Sequence, residues 1–99
     1  MKFAAIIEYH PDTSKVSAVR PAHRTYETGL KKAGKLVTAG PFADQSGALI
    51  VYEAADAHEA EQIIKADPFY TNGIFLSWVL RPWICVMTNR EMLPETPPT

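Results

Sequence analysis

The run Ile74-Phe75-Leu76-Ser77-Trp78-Val79-Leu80 restricts the fold of this chain more than any other stretch. Successive side chains of a strand point to opposite faces. Ile74, Leu76, Trp78 and Leu80 therefore share one side, and Phe75, Ser77, Val79 and Trp83 the other. Both sides are largely apolar, so a sheet built on this strand needs cover on both faces. The remaining sequence holds only two helical segments, enough for one. An uncovered face would be an apolar patch of a size that monomers avoid. The run predicts a sheet with helices on one face and a second copy of the chain on the other, a homodimer that could assemble further.

Prolines and glycines divide the rest of the chain. Phe3 to Tyr9 reads as a first strand, stopped by Pro11. Asp12 to Val19 is polar and mixed, a turn or a short helical lead-in. Proline suits the first helical position but removes a hydrogen bond deeper inside. The main helix is therefore predicted from Pro21 to Lys32 or Ala33, with Gly34 as its left-handed close and Lys31 and Lys32 at the negative end of its dipole. Lys35–Pro41 and Ala48–Ala54 read as strands joined by a hairpin turn over Ala43–Gly47. Asp56 and Glu59 have capping-box spacing and open a second helix of about ten residues. It ends at Asp67-Pro68, because Pro68 pushes Asp67 out of helical geometry. Asn72-Gly73 then turns the chain into the last strand, Ile74 to Trp83. The order β-α-β-β-α-β predicts an α+β, ferredoxin-like fold, a four-stranded antiparallel sheet with both helices on one face. One domain is expected over residues 1–90, followed by a Pro-rich tail over 91–99 that is expected to be disordered.

Composition narrows the function classes. The 99 residues suit one domain, whose modest core would gain from a partner subunit. Ten basic and 11 acidic residues give a net charge of −1 with no long block of either sign, which argues against a nucleic-acid surface. Cys85 is the single cysteine, so no intrachain disulfide can form and a reducing, cytoplasmic compartment is expected. The N-terminal apolar run is short and broken by Glu8, and no segment has the length of a membrane span. No two histidines stand at metal-ligand spacing, and no G-x-G-x-x-G, P-loop or G-x-S-x-G motif occurs. Neither a metal nor a cofactor is expected.

His23 is the residue that ordinary packing explains least well. On a helix begun at Pro21, His23, Tyr26, Leu30 and Ala33 form one stripe facing the sheet, while Arg24, Glu27, Thr28 and Lys31 fall outside. His23 is then either a packed ring bonded to a backbone carbonyl or a proton acceptor. Placed in the first helical turn near Arg20, its imidazolium would be disfavoured and a neutral base kept available. Asp67 is a candidate to orient the ring through its second nitrogen. Arg20 suits a planar phenolate or carboxylate on a substrate, or is simply solvated. Pro41 and Phe42, beside Gly40, are candidates for a pocket wall, and Ser77 for a hydrogen bond to a ligand hydroxyl; a strand bend and a backbone-bonded serine are the plainer readings.

The segments "RPAHRTY" with His23, "AGKLVTAGPF" with Gly34, Gly40 and Pro41, "GALIVYEA", "ADPFYTNGIF" with Asp67, Pro68 and Gly73, and Pro82-Trp83 together resemble the YciI-like (YCII-related) family. The resemblance runs from about Met1 to Val86 in order and spacing. It implies a dimeric α+β barrel and a His–Asp dyad, carried here onto His23 and Asp67. It also implies proton-transfer chemistry on substituted aromatics, such as dehydrochlorination of a chlorinated hydroxyhydroquinone, with muconolactone isomerases as fold relatives. The expected activity is thus a cofactor-free lyase or isomerase acting on a small aromatic, anionic ones included, with Arg20 holding the anionic oxygen. A non-catalytic ligand-binding or regulatory dimer and a cofactor-free quinol oxygenase are the competing classes.

Overall fold

A computed structural model describes residues 1–96. Four strands form one antiparallel sheet: β1 (Lys2–Tyr9), β2 (Leu36–Pro41), β3 (Gly47–Glu53) and β4 (Phe75–Trp83), in the spatial order β2-β3-β1-β4. Three helices interleave with them, α1 (Thr13–Lys32), α2 (Ala57–Lys65) and the single-turn α3 (Pro68–Thr71). The predicted ferredoxin-like α+β arrangement is present.

Alternation builds the core. Phe3, Ala5, Ile7 and Tyr9 of β1 point to the helix side, where Ala48, Ile50 and Tyr52 of β3 flank them. Val16 and Leu30 of α1 and Ala60, Ile63 and Ile64 of α2 close over this layer. Gly47 lets β3 approach β1, since a Cβ there would stand 1.8 Å from the Ile7 carbonyl oxygen. Gly34 ends α1 with φ of +73°, the left-handed conformation expected of it.

Three features differ from the sequence prediction. The first helix begins eight residues earlier than Pro21, at Thr13, and runs for 20 residues. Asp12 caps it by accepting from the backbone N–H groups of Ser14 and Lys15, so the supposed lead-in is two full turns of helix. Pro21 sits inside on the solvent side, and the capped turns before it offset the missing hydrogen bond. His23 is therefore mid-helix, and the positive helix end does not act on it. Secondly, Asp67 does not close α2, which stops at Lys65; it is the N-cap of α3. Thirdly, the pairing of β1 with β4 shifts between Glu8 and Tyr9, which bulges Leu76. Tyr9 faces Phe75 and Glu8 faces Ser77, so Phe75 joins the core side with Trp78 and Leu80, and Leu76 turns to solvent.

The other sheet face is open in the single chain. Ile6 stands between Leu49 and Val79 across β3, β1 and β4, and these three are 49%, 38% and 59% exposed. Beyond β4, Ile84, Val86, Met87, Met92 and Leu93 are exposed, with one 3₁₀ turn over Arg90–Met92. Of the expected tail, residues 97–99 lie outside the described residues. Among the described residues no helix is long and apolar enough to cross a membrane.

Candidate active site

His23 and Asp67, 44 positions apart, meet under the sheet. Pro68 holds Asp67 in extended geometry, with φ −69° and ψ 133°, at the start of α3. Its carboxylate accepts from Phe69 N–H at 2.8 Å and from His23 Nδ1 at 2.8 and 2.9 Å through its two oxygens. The ring of Phe69 then stacks on the imidazole, 3.9 Å between centroids and 5° from parallel. Phe75, brought to this side by the bulge, presents its edge at 6.0 Å. Asp67 and His23 are the two buried polar or charged residues of the described chain, 1% and 3% exposed.

The other ring nitrogen is also occupied. Nε2 lies 3.0 Å from Glu27 Oε1, one helical turn on. Burial is the largest single influence on His23 and would lower its pKa, but the hydrogen bonds and charges of Asp67 and Glu27 together raise it above 6.5. The first-turn argument for a neutral ring is thus reversed, because two carboxylates replace a helix N-terminus as its electrostatic surroundings.

Aromatic hydroxyls and two arginines complete the cluster. Tyr9 is pushed up to about 12 by burial and by the Glu27 charge, against the pull of Arg20. The Tyr52 hydroxyl, likewise raised by burial and by Asp67 and Glu27, has no hydrogen-bond partner among the described residues. Tyr26 donates instead to the Ile63 carbonyl at 2.7 Å. Arg24 Nε lies 3.9 Å from Glu27 Oε1, and half-buried Arg20 donates from Nη2 to Gln45 Oε1 of the hairpin at 3.0 Å. A proton-exchanging centre with cationic side chains beside it is what this arrangement supplies chemically.

The remaining candidates do not join it. Phe42 and Ser77 line a hollow of about 350 Å³ on the open side of the sheet, with Ile6, Glu8, Ser46 and Val79. Ser77 Oγ there donates to Glu8 Oε1 at 3.4 Å. Pro41 is exposed at the end of β2, paired with Ala48. Glu27, Phe69, Tyr9 and Tyr52 are the site neighbours that sequence reasoning missed. The i,i+4 spacing of His23 and Glu27 was the available signal, passed over because the stripe assigned Glu27 to the outer side, whereas its carboxylate reaches back to Nε2.

A fold and a buried His–Asp contact of this kind define a class before any particular activity. The chain belongs to the YCII-related domain family, whose model matches residues 1–84. Among solved structures it is similar to 5-chloro-2-hydroxyhydroquinone dehydrochlorinase from Burkholderia phenoliruptrix AC1100, in complex with 2,5-dihydroxybenzoquinone. That match has a TM-score of 0.73 at 24% identity and covers 85% of this chain and 94% of that one. At this identity the likeness establishes the shared fold. No curated protein matches the chain.

Proposed function

We propose that this protein is a cofactor-independent acid–base enzyme, a lyase or isomerase acting on a small hydroxylated aromatic, with His23 and Asp67 as its proton-handling pair. The observation that carries this reading is a buried imidazole fixed by a two-oxygen carboxylate contact at 2.8 and 2.9 Å. Such a contact sets the ring's tautomer and orientation, which proton transfer requires. The similarity to a dehydrochlorinase supports a chlorinated hydroxyhydroquinone as the first substrate class to try. In that reaction one hydroxyl proton is lost and the chlorine-bearing ring carbon is protonated, giving a keto tautomer. Loss of a second hydroxyl proton then sends its electron pair through the ring, and chloride departs with the C–Cl pair. The net loss is hydrogen chloride, and no external oxidant is consumed. Arg20 is proposed to hold the anionic oxygen.

The working unit is proposed to be a homodimer with its sheets packed face to face, since the Val79-Ile6-Leu49 row and the apolar segment after β4 are exposed in one chain. Phe42 and Ser77, which line the open-face hollow, are then proposed to meet the partner's sheet rather than His23, with Pro41 shaping the hairpin beside them. The test is chloride release from 5-chloro-2-hydroxyhydroquinone. The native protein is expected to turn it over, and His23→Gln to lose about 100-fold or more in kcat while its circular dichroism spectrum is unchanged. Full activity in His23→Gln would exclude the dyad. Saturable binding of 2,5-dihydroxybenzoquinone without any product would favour a ligand-binding dimer, and oxygen uptake with a quinol an oxygenase.

A further inference from the structure

The His23–Asp67 pair leaves unexplained how a substrate would reach the ring. His23 is 3% exposed, Asp67 occupies Nδ1, and Phe69 covers one ring face. Glu27 Oε1 occupies Nε2 at 3.0 Å. No molecule entering from solvent can meet either nitrogen without displacing a carboxylate. Glu27 is more open, its side chain 13% exposed, and Arg24 Nε stands 3.9 Å from the same oxygen.

We propose that Glu27 is a catalytic residue, the carboxylate that exchanges the proton with substrate, while His23, held by Asp67, takes that proton from behind it. This relay rests on the acid–base reading above and names the residue that makes its substrate contact. It contrasts with a dyad in which the imidazole itself touches the substrate.

The step balances without any further reactant. In the neutral ring, Nδ1–H donates to Asp67 and the Nε2 lone pair faces Glu27 Oε1. Glu27 takes the substrate proton, and the electron pair of the broken bond remains on the substrate as an enolate or phenolate. Glu27 then passes a proton to Nε2, leaving an imidazolium between two carboxylates. A proton then reaches the chlorine-bearing ring carbon, giving a keto tautomer. Loss of a second hydroxyl proton through Glu27 drives its electron pair through the ring, chloride leaves with the C–Cl pair, and that last proton passes to water. Glu27 on α1 and Asp67 at α3 face the two ring nitrogens, Phe69 of α3 and Phe75 of β4 wall the ring, and the charges of Glu27, Arg20 and Arg24 also act on Tyr9 of β1. The half-buried Arg20 and Arg24 offer positive charge to the developing oxyanion.

Diethyl pyrocarbonate, which acylates a neutral imidazole nitrogen, probes this without a substrate. In the native protein exposed His58 is expected to react and His23 to be spared. Glu27→Ala is expected to bring the His23 rate toward that of His58. Glu27→Asp, shorter by one methylene, provides the same comparison should the alanine variant not fold. Native His23 reacting as fast as His58 would overturn the proposal. With 5-chloro-2-hydroxyhydroquinone, Glu27→Gln is expected to lower kcat about 100-fold or more with little change in KM. Full kcat in Glu27→Gln beside an inactive His23→Gln would also overturn it. Absence of chloride release by the native protein would sink the substrate class instead; a spared His23 that opens on removing Glu27 would still uphold Glu27 as the outer member.

Discussion

At the residue scale, His23 shows how a buried ring acquires its charge preference. Burial alone favours the neutral form, yet two carboxylates on opposite nitrogens outweigh it and raise the pKa above 6.5. The consequence for stability has a definite sign. A raised pKa in the folded state means that the extra stabilisation is fully present below about pH 6.5 and is lost as pH climbs through the folded value. Urea midpoints of the native protein should therefore fall as pH rises from about 6 to about 9, and those of His23→Gln should be flatter over that window. The relay described above requires the neutral ring, so turnover should rise over the range in which this stabilisation falls. Equal slopes in the two proteins would show that the charged ring is not held by the fold. Asp67→Ala removes both the ring's partner and the cap of α3, and should cost about 3–5 kcal/mol.

At the element scale, caps and close approaches decide where structure begins and how strands meet. Asp12 starts α1 two turns ahead of Pro21, and that earlier start places His23 and Glu27 mid-helix, away from the positive helix end. Local propensity did not show this, because a proline inside a pattern ordinarily marks a boundary. The β4 bulge was equally hidden: strict alternation assigned Phe75 to the Val79 side, whereas the extra residue turns it toward His23. A bulge arises from how two strands pair, so neither strand's own sequence announces it. Gly47 carries the opposite kind of constraint. Gly47→Ala would set a Cβ against Ile7 backbone at 1.8 Å, with no flexible side chain to yield. Its expected cost lies at the far end for single substitutions, about 4 kcal/mol or outright failure to fold. An unchanged thermal midpoint in that variant would mean that the β1–β3 spacing can relax.

At the scale of the whole molecule, the question is what covers the sheet. The apolar row of Ile6, Leu49 and Val79 has polar or charged neighbours in Glu8 and Ser77, so a partner would cover an oily centre with a polar margin. Val79→Glu, which buries a charge in the proposed interface, is expected to shift the protein toward monomer in sedimentation at a concentration where the native chain is dimeric. A native chain that sediments as a monomer throughout would remove the interface altogether.

By itself the sequence determined the element order, the sheet side of His23 and an apolar second face of the sheet, because these follow from periodicity, proline and glycine within short windows. The contact of His23 with Asp67 was legible only as a resemblance, since nothing in the stretch between two residues 44 positions apart states where a chain returns. Tertiary structure alone decided that Glu27 closes the second ring nitrogen, that Phe69 and Phe75 wall the imidazole, and that Phe42 and Ser77 stand at a separate hollow. The physical reason is that the strand bulge and the folding-back of α3 onto α1 are settled by packing between elements distant along the chain, which no short window of sequence contains.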